Sequence, residues 1–104
     1  MASIEKSGRI SAEELSSLQA EADTCTLRGN TCNLREDLDQ AEYQYLRALK
    51  INEQLFRVTR EQAFLDAALE NCSSLADVCM QQGNMHGADR YYVQIMKYRS
   101  LCKK

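Results

Sequence analysis

Apolar residues recur at intervals of three and four along most of the chain, which is the spacing of one face of an α-helix. Four such stripes follow one another, separated by short polar or glycine-containing breaks. They predict helices at about 12–34, 38–57, 60–82 and 85–101. Residues 1–10 are polar and aperiodic, so we expect a disordered lead-in followed by a single helical domain over 11–102.

Local capping signals mark where these helices begin and end. Three positions have the spacing of a capping box, in which Ser, Thr or Asp is followed three residues later by Glu or Gln. They are Ser11–Glu14, Asp37–Gln40 and Thr59–Gln62. Gly83 supplies a stop, because glycine tolerates the left-handed conformation after a helix. Short connectors make neighbouring helices antiparallel, and a plain four-helix bundle is therefore one plausible architecture.

The second half of the chain repeats the first at an offset of 47 residues. The matched pairs are Cys25 with Cys72, Gly29 with Ala76, Cys32 with Cys79, Glu36 with Gly83, Ala41 with Ala88, Tyr45 with Tyr92, Ala48 with Ile95 and Leu49 with Met96. Small residues such as Gly29 and Ala41 would let the two helices of a hairpin approach closely. Tyr45 and Tyr92 lie on the core stripes and would fill the wedge between hairpins. The pattern predicts two helix–turn–helix repeats, at about 22–57 and 60–101.

These residues resemble the tetratricopeptide repeat family. One full repeat is suggested by Cys25–Asn30 with Asp37, Ala41, Tyr45, Ala48, Leu49 and Ile51, and a second by Leu75, Ala76, Gly83, Ala88, Tyr92 and Ile95. The long helices are similar to the longer repeats of kinesin light chains. The resemblance implies an all-α fold of two antiparallel hairpins, stacked as a short right-handed superhelix that binds proteins or peptides. The chain departs from the family pattern where Cys25 and Cys72 replace an early aromatic residue and Glu36 replaces the usual glycine.

In that family the first helices of the repeats line a concave groove that holds a peptide. Carried over to this chain, the groove would be lined by Asp23, Thr26, Leu27, Asn30, Asn33, Glu70, Ser73, Ser74, Asp77 and Gln81. Asn30 matches an asparagine that many members use to bind the peptide backbone. The Lys and Arg residues that bind a terminal carboxylate in the chaperone-binding subclass are not matched, so we expect no carboxylate clamp. The groove carboxylates should favour a neutral or basic peptide.

The overall charge and the apolar content narrow the range of partners. The 104 residues carry a formal net charge of −2, which offers no general attraction for nucleic acid or anionic lipid. There is no apolar run long enough to cross a membrane and no apolar signal-peptide core near the N-terminus. We therefore expect a cytoplasmic protein whose 5 cysteines remain thiols.

Catalytic and metal-binding chemistry finds little support in the residue spacing. Cys25 and Cys32 are seven residues apart, as are Cys72 and Cys79. That spacing separates them by about 10 Å along a helix, too far for one zinc ion unless helices cross there. Cysteine more often serves as a small core hydrophobe. His86, the only histidine, falls in a turn, so we predict no enzyme activity, no metal and no cofactor.

Two repeats are few, because each unit buries its apolar face against the next. The last stripe would leave Tyr92, Ile95 and Met96 uncovered, which predicts a homodimer, another partner or a longer array. The leading function is a scaffold or adaptor that binds a peptide or partner helix. The alternatives are a self-associating assembly subunit and a small chaperone-like holder of a secretion substrate or another helical client.

Overall fold

A computed structural model describes residues 10–102, and all regular structure in that range is α-helical. The helices are α1 (Ala12–Leu34), α2 (Leu38–Thr59), α3 (Gln62–Gln81) and α4 (Met85–Leu101). The four predicted helices are confirmed, with ends that differ from the sequence-based bounds by two residues at most. The predicted lead-in over 1–10 lies outside the described residues except for Ile10.

The α1–α2 and α3–α4 connections are the same turn built twice. Both are Schellman turns, in which two N–H groups beyond the helix bind carbonyls of its last turn. In the first, the bonds run from Glu36 to Asn33 (3.0 Å) and from Asp37 to Cys32 (2.8 Å). In the second, they run from Gly83 to Met80 (3.0 Å) and from Asn84 to Cys79 (2.8 Å). The 47-residue offset read from the sequence therefore relates two turns with the same backbone hydrogen bonds.

The residue after each turn caps the next helix. The Asp37 carboxylate accepts a hydrogen bond from the Gln40 N–H (3.4 Å), and the Asn84 carbonyl oxygen accepts one from the Gly87 N–H (2.9 Å). The Ser11 box at the start of α1 is complete, with both reciprocal bonds to Glu14 present. These caps explain why three of the four helices begin where the sequence indicates.

The third capping box was a wrong prediction. The second helix continues through Thr59, and Arg60 then ends it in the left-handed conformation with φ of 60°. The Thr59 hydroxyl donates to the Leu55 carbonyl instead of capping a new helix. Glu61 is the N-cap of α3 and makes no side-chain capping bond. The same hydroxyl accepts a hydrogen bond from the Glu61 N–H (3.1 Å), so Thr59 links the end of α2 to the residue before α3.

Each helix packs on the helices that precede and follow it along the chain. Among the described residues, α1 and α4 do not pack on each other to a comparable extent, so the helices form an open array instead of a closed four-helix bundle. The core lies mainly between α2 and α3, where Tyr45, Leu49, Leu75 and Val78 are buried together. The two outer helices contribute small buried residues, including Ala22 on α1 and Ala88 on α4.

Candidate functional site

The side chains predicted to line a peptide groove occupy the outward faces of α1 and α3. Eight of the ten recur within their helix at intervals of three and four, four on each helix, and the other two, Leu27 and Ser74, adjoin Thr26 and Ser73. The α1 members are Asp23, Thr26, Asn30 and Asn33, and the α3 members are Glu70, Ser73, Asp77 and Gln81. Thr26 and Asn33 are half-buried, and the other six are exposed. We call these eight residues the α1–α3 surface.

A chain of amide side chains fastens α1 to α3 beneath this surface. Asn52 on α2 donates to the Asn71 carbonyl oxygen (2.8 Å), and the Asn71 amide donates to the Thr26 hydroxyl (3.1 Å). Both asparagines are buried, and a buried amide without partners would be costly. Asn52 is a polar residue among the apolar buried positions of α2, and its hydrogen-bond partner lies on α3. Asn71 was missed, because nothing in its own stripe signals that it is paired across helices.

The Tyr45 hydroxyl of α2 reaches the same surface from below. It donates to the side-chain oxygen of Asn30 (2.5 Å). Asn30, the residue predicted to bind a peptide backbone, therefore already has an internal partner for its side-chain oxygen. Burial raises the pKa of the Tyr45 phenol, while hydrogen bonding to Asn33 and Ser74 lowers it. Residues from α1 and α3 therefore meet around one hydroxyl, which ties the two halves of the α1–α3 surface together.

Close packing of Tyr45 depends on Gly29, as the sequence pattern predicted. A Cβ on Gly29 would lie 2.6 Å from Cε1 of the Tyr45 ring, far inside normal contact distance. The glycine therefore seats the ring against α1 and aims its hydroxyl toward Asn30. Because of this contact, the Tyr45 ring is buried and fills the space between the hairpins.

The charge of the α1–α3 surface is negative. Asp23, Glu70 and Asp77 are exposed carboxylates on it, and none of them takes part in an ion pair between described residues. An ion pair elsewhere on the molecule joins Arg47 and Glu21, and both side chains are nearly half exposed. Carboxylates left to solvent on one surface attract cationic groups over distances of about 10 Å.

The cysteines are packing residues for the most part. Cys25, Cys72 and Cys79 are buried, and all five thiols are free. Burial raises the pKa of the Cys72 thiol to about 12, which keeps it protonated and poorly nucleophilic. Among the described residues, no group of three or more His, Cys, Asp or Glu side chains is arranged to hold a metal ion. His86 is exposed in the first turn of α4.

A second polar cluster, which the sequence did not reveal, joins α2 to α4. The Glu53 carboxylate accepts hydrogen bonds from the Tyr98 hydroxyl and, at 3.5 Å, from the Gln94 amide. Burial raises the pKa of the Glu53 carboxyl, and the bond from Gln94 lowers it. These residues line a cleft of about 450 Å³ together with Phe56. The cluster holds the last helix in place, since Tyr98 also packs against the core.

Two predictions for α4 need correction. Tyr92 was placed both on a core stripe and on the uncovered face of the last helix; its side chain is 43% exposed, so the core placement was wrong, and its hydroxyl reaches the Met80 sulfur (3.2 Å). Ile95 was expected to join an uncovered patch, but it packs against the core beside Tyr91. Tyr92 is exposed because, within the described chain, no further helix lies on that side of α4. Met96 is exposed, as predicted.

No family model matches this chain, and neither a curated protein nor a solved structure is significantly similar to it. Across residues 10–102, no helix combines the length and the apolar character needed to cross a membrane. By its fold, the protein belongs to the class of open, all-helical arrays, built here from two hairpins with equivalent turns.

Proposed function

We propose that the chain is a non-enzymatic protein–protein interaction module of the tetratricopeptide type, which holds a neutral or basic peptide along the α1–α3 surface. The observation that carries this proposal is the convergence of the predicted groove residues. Tyr45 and Asn71 join the polar faces of α1 and α3, while the carboxylates of that surface stay exposed. The repeated turn supports a repeat architecture.

The side chains available at this surface favour recognition of backbone and cationic groups. Asn33, Ser73 and Gln81 present donors and acceptors that suit an extended peptide. The surface has no Lys or Arg among its eight residues, which argues against binding of a terminal carboxylate. The buried Cys72 thiol is a poor nucleophile, so it gives no support to catalysis. We also propose a cytoplasmic setting, where the five free cysteines would stay reduced.

Fluorescence anisotropy with three labelled peptides of equal length tests this proposal. We expect lysine-rich and neutral peptides to bind more tightly than a glutamate-rich peptide, and the preference for lysine to weaken as salt screens it. The triple variant Asp23→Asn, Glu70→Gln, Asp77→Asn should bind the lysine-rich peptide about tenfold more weakly at low salt.

The matched control removes the same number of charges elsewhere. Glu13, Glu61 and Asp39 are exposed and lie away from the faces of α1 and α3 that form the surface. Their neutralisation to Gln, Gln and Asn should leave binding nearly unchanged. Equal losses in the two triple variants would mean that net charge, and not this surface, attracts the peptide. Tight binding of an acidic peptide that depends on its terminal carboxylate would refute the proposal.

A further inference from the structure

The outward face of α4 carries an apolar stripe with one acidic and one basic neighbour. Its members are Met85, Asp89, Tyr92, Met96 and Arg99, which we call the α4 face. They recur at intervals of four and three, the spacing of a helix seam that packs on another helix. All five are exposed, and Met80 at the end of α3 extends the apolar surface beneath Tyr92.

The equivalent positions in the first hairpin show what such a seam is for. Tyr45 and Leu49 on α2 are 2% and 5% exposed, because α3 covers the sides that α1 leaves open. Their matches 47 residues later, Tyr92 and Met96, are 43% and 63% exposed. Burial at these positions thus depends on a neighbouring helix, and the α4 face lacks one among the described residues.

At the opposite end of the array, the outer face of α1 is polar. Five positions on α3 that face α2 are buried, namely Phe64, Ala68, Asn71, Leu75 and Val78. The residues that match them on α1 are Ser17, Glu21, Thr24, Arg28 and Thr31, all exposed. A polar face of this kind cannot replace α3 against an apolar seam. Copies of the chain are therefore not complementary in head-to-tail order, which would build a filament.

A two-fold arrangement of the α4 face is complementary. If two α4 helices run antiparallel with the axis at Gln94, Tyr92 of one lies opposite Met96 of the other. The same alignment places Asp89 opposite Arg99, because each is three residues beyond the apolar pair. Neither Asp89 nor Arg99 forms an ion pair with another described residue, so both remain available. A parallel pairing would instead set Asp89 against Asp89.

We infer that the α4 face binds a second copy of this chain, as an antiparallel two-fold pair of α4 helices. The centre of the interface is Tyr92 against Met96, repeated by symmetry. Two Asp89–Arg99 pairs flank the centre and set the direction of pairing. This inference does not depend on the proposed peptide site, because α4 contributes no residue to the α1–α3 surface.

Sedimentation of the full chain under reducing conditions tests the pairing. The reductant excludes disulfide-linked dimers, which the five free thiols could otherwise form. We expect a dimer that dissociates on dilution, and Met96→Glu should abolish it. The control Leu27→Glu introduces the same charge at a residue of α1 with matching exposure, 65% against 63%, and should leave the dimer intact. Circular dichroism establishes that both variants remain folded.

Charge exchange tests the direction of pairing. Asp89→Arg alone or Arg99→Asp alone should weaken dimerisation about tenfold at low salt, because each sets like charges opposite one another twice. The double variant Asp89→Arg/Arg99→Asp should restore the affinity to within about threefold of the original. A parallel or head-to-tail contact would not be rescued in this way.

Several results would overturn the inference. They are a monomer at about 1 mM, assembly that grows beyond a dimer, or a double variant as weak as the single ones. A monomer that binds a synthetic helix of sequence 62–81 would assign the α4 face to a foreign helix with the character of α3. Loss of the dimer in Leu27→Glu, with Met96→Glu unaffected, would place the interface on α1.

Discussion

A single missing side chain determines how closely the first two helices approach. Gly29 lies inside α1, where glycine normally destabilises a helix by about 1 kcal/mol relative to alanine. Its position is nonetheless required, because the ring of Tyr45 occupies the space that a Cβ would fill. The seated ring in turn directs its hydroxyl to Asn30. Packing therefore overrides helix propensity at this residue.

Gly29→Ala should lower the free energy of unfolding by about 1 to 3 kcal/mol, since the new methyl group overpacks the site. Urea unfolding followed by circular dichroism measures the change. In a Tyr45→Leu background the same substitution should be neutral or stabilising, because the ring is gone and only the gain in propensity remains. Stabilisation by Gly29→Ala in the chain that keeps Tyr45 would contradict the close packing of the Tyr45 ring against Gly29.

At the scale of elements, the two hairpin turns offer an internal comparison. Glu36 and Gly83 hold the same place in the two Schellman turns, with φ of 64° and 78°. A side chain in this left-handed region costs about 1 to 2 kcal/mol, whereas glycine adopts it freely. A Cβ on Gly83 would meet no atom within 4 Å, so only backbone conformation separates the two positions.

Glu36→Gly should therefore raise the free energy of unfolding by about 1 kcal/mol, and Gly83→Glu should lower it by a similar amount. The double exchange should lie close to the unaltered protein, because it moves the same strain from one turn to the other. Thermal unfolding of the three variants checks this. Destabilisation by Glu36→Gly would show that the Glu36 side chain makes a contribution that outweighs its backbone strain.

Helix positions were predictable because their signals are local. The Ser11 box, the Asp37 cap and Gly83 act within one helical turn, and the structure has each of them in place. The helix start predicted at Thr59 was wrong, because a capping-box spacing also occurs in the last turn of α2, where the Thr59 hydroxyl bonds to the Leu55 carbonyl. A spacing of three residues cannot distinguish these two uses.

Side-chain pairing and burial were less predictable because they depend on residues far along the chain. Asn52 could be seen as an anomaly in its stripe, but its partner Asn71 could not. The bond from Tyr98 to Glu53 likewise joins residues 45 positions apart. Tyr92 matches Tyr45 in sequence and differs in exposure, since burial requires a helix on the far side. The sequence predicted that the groove residues share one surface. That this surface binds a peptide remains a proposal.

At the scale of the whole molecule, the array presents two surfaces of different character. The α1–α3 surface is polar and acidic, and its helices are joined by Tyr45, Asn71 and Thr26. The α4 face is apolar at its centre, with Asp89 and Arg99 at its sides. The two surfaces share no residue, so a dimer formed through α4 would leave both α1–α3 surfaces open to peptides.

Amide chemical-shift mapping by NMR tests most directly whether α1 and α3 form the binding surface. On addition of the lysine-rich peptide, we expect the largest shifts at residues near Asn33, Ser73 and Asp77, with saturation at one peptide per chain. Amides near Tyr92 and Met96 should shift on dilution of the protein and not on addition of peptide. Peptide-induced shifts confined to α4, or none at saturating peptide, would contradict the proposed function.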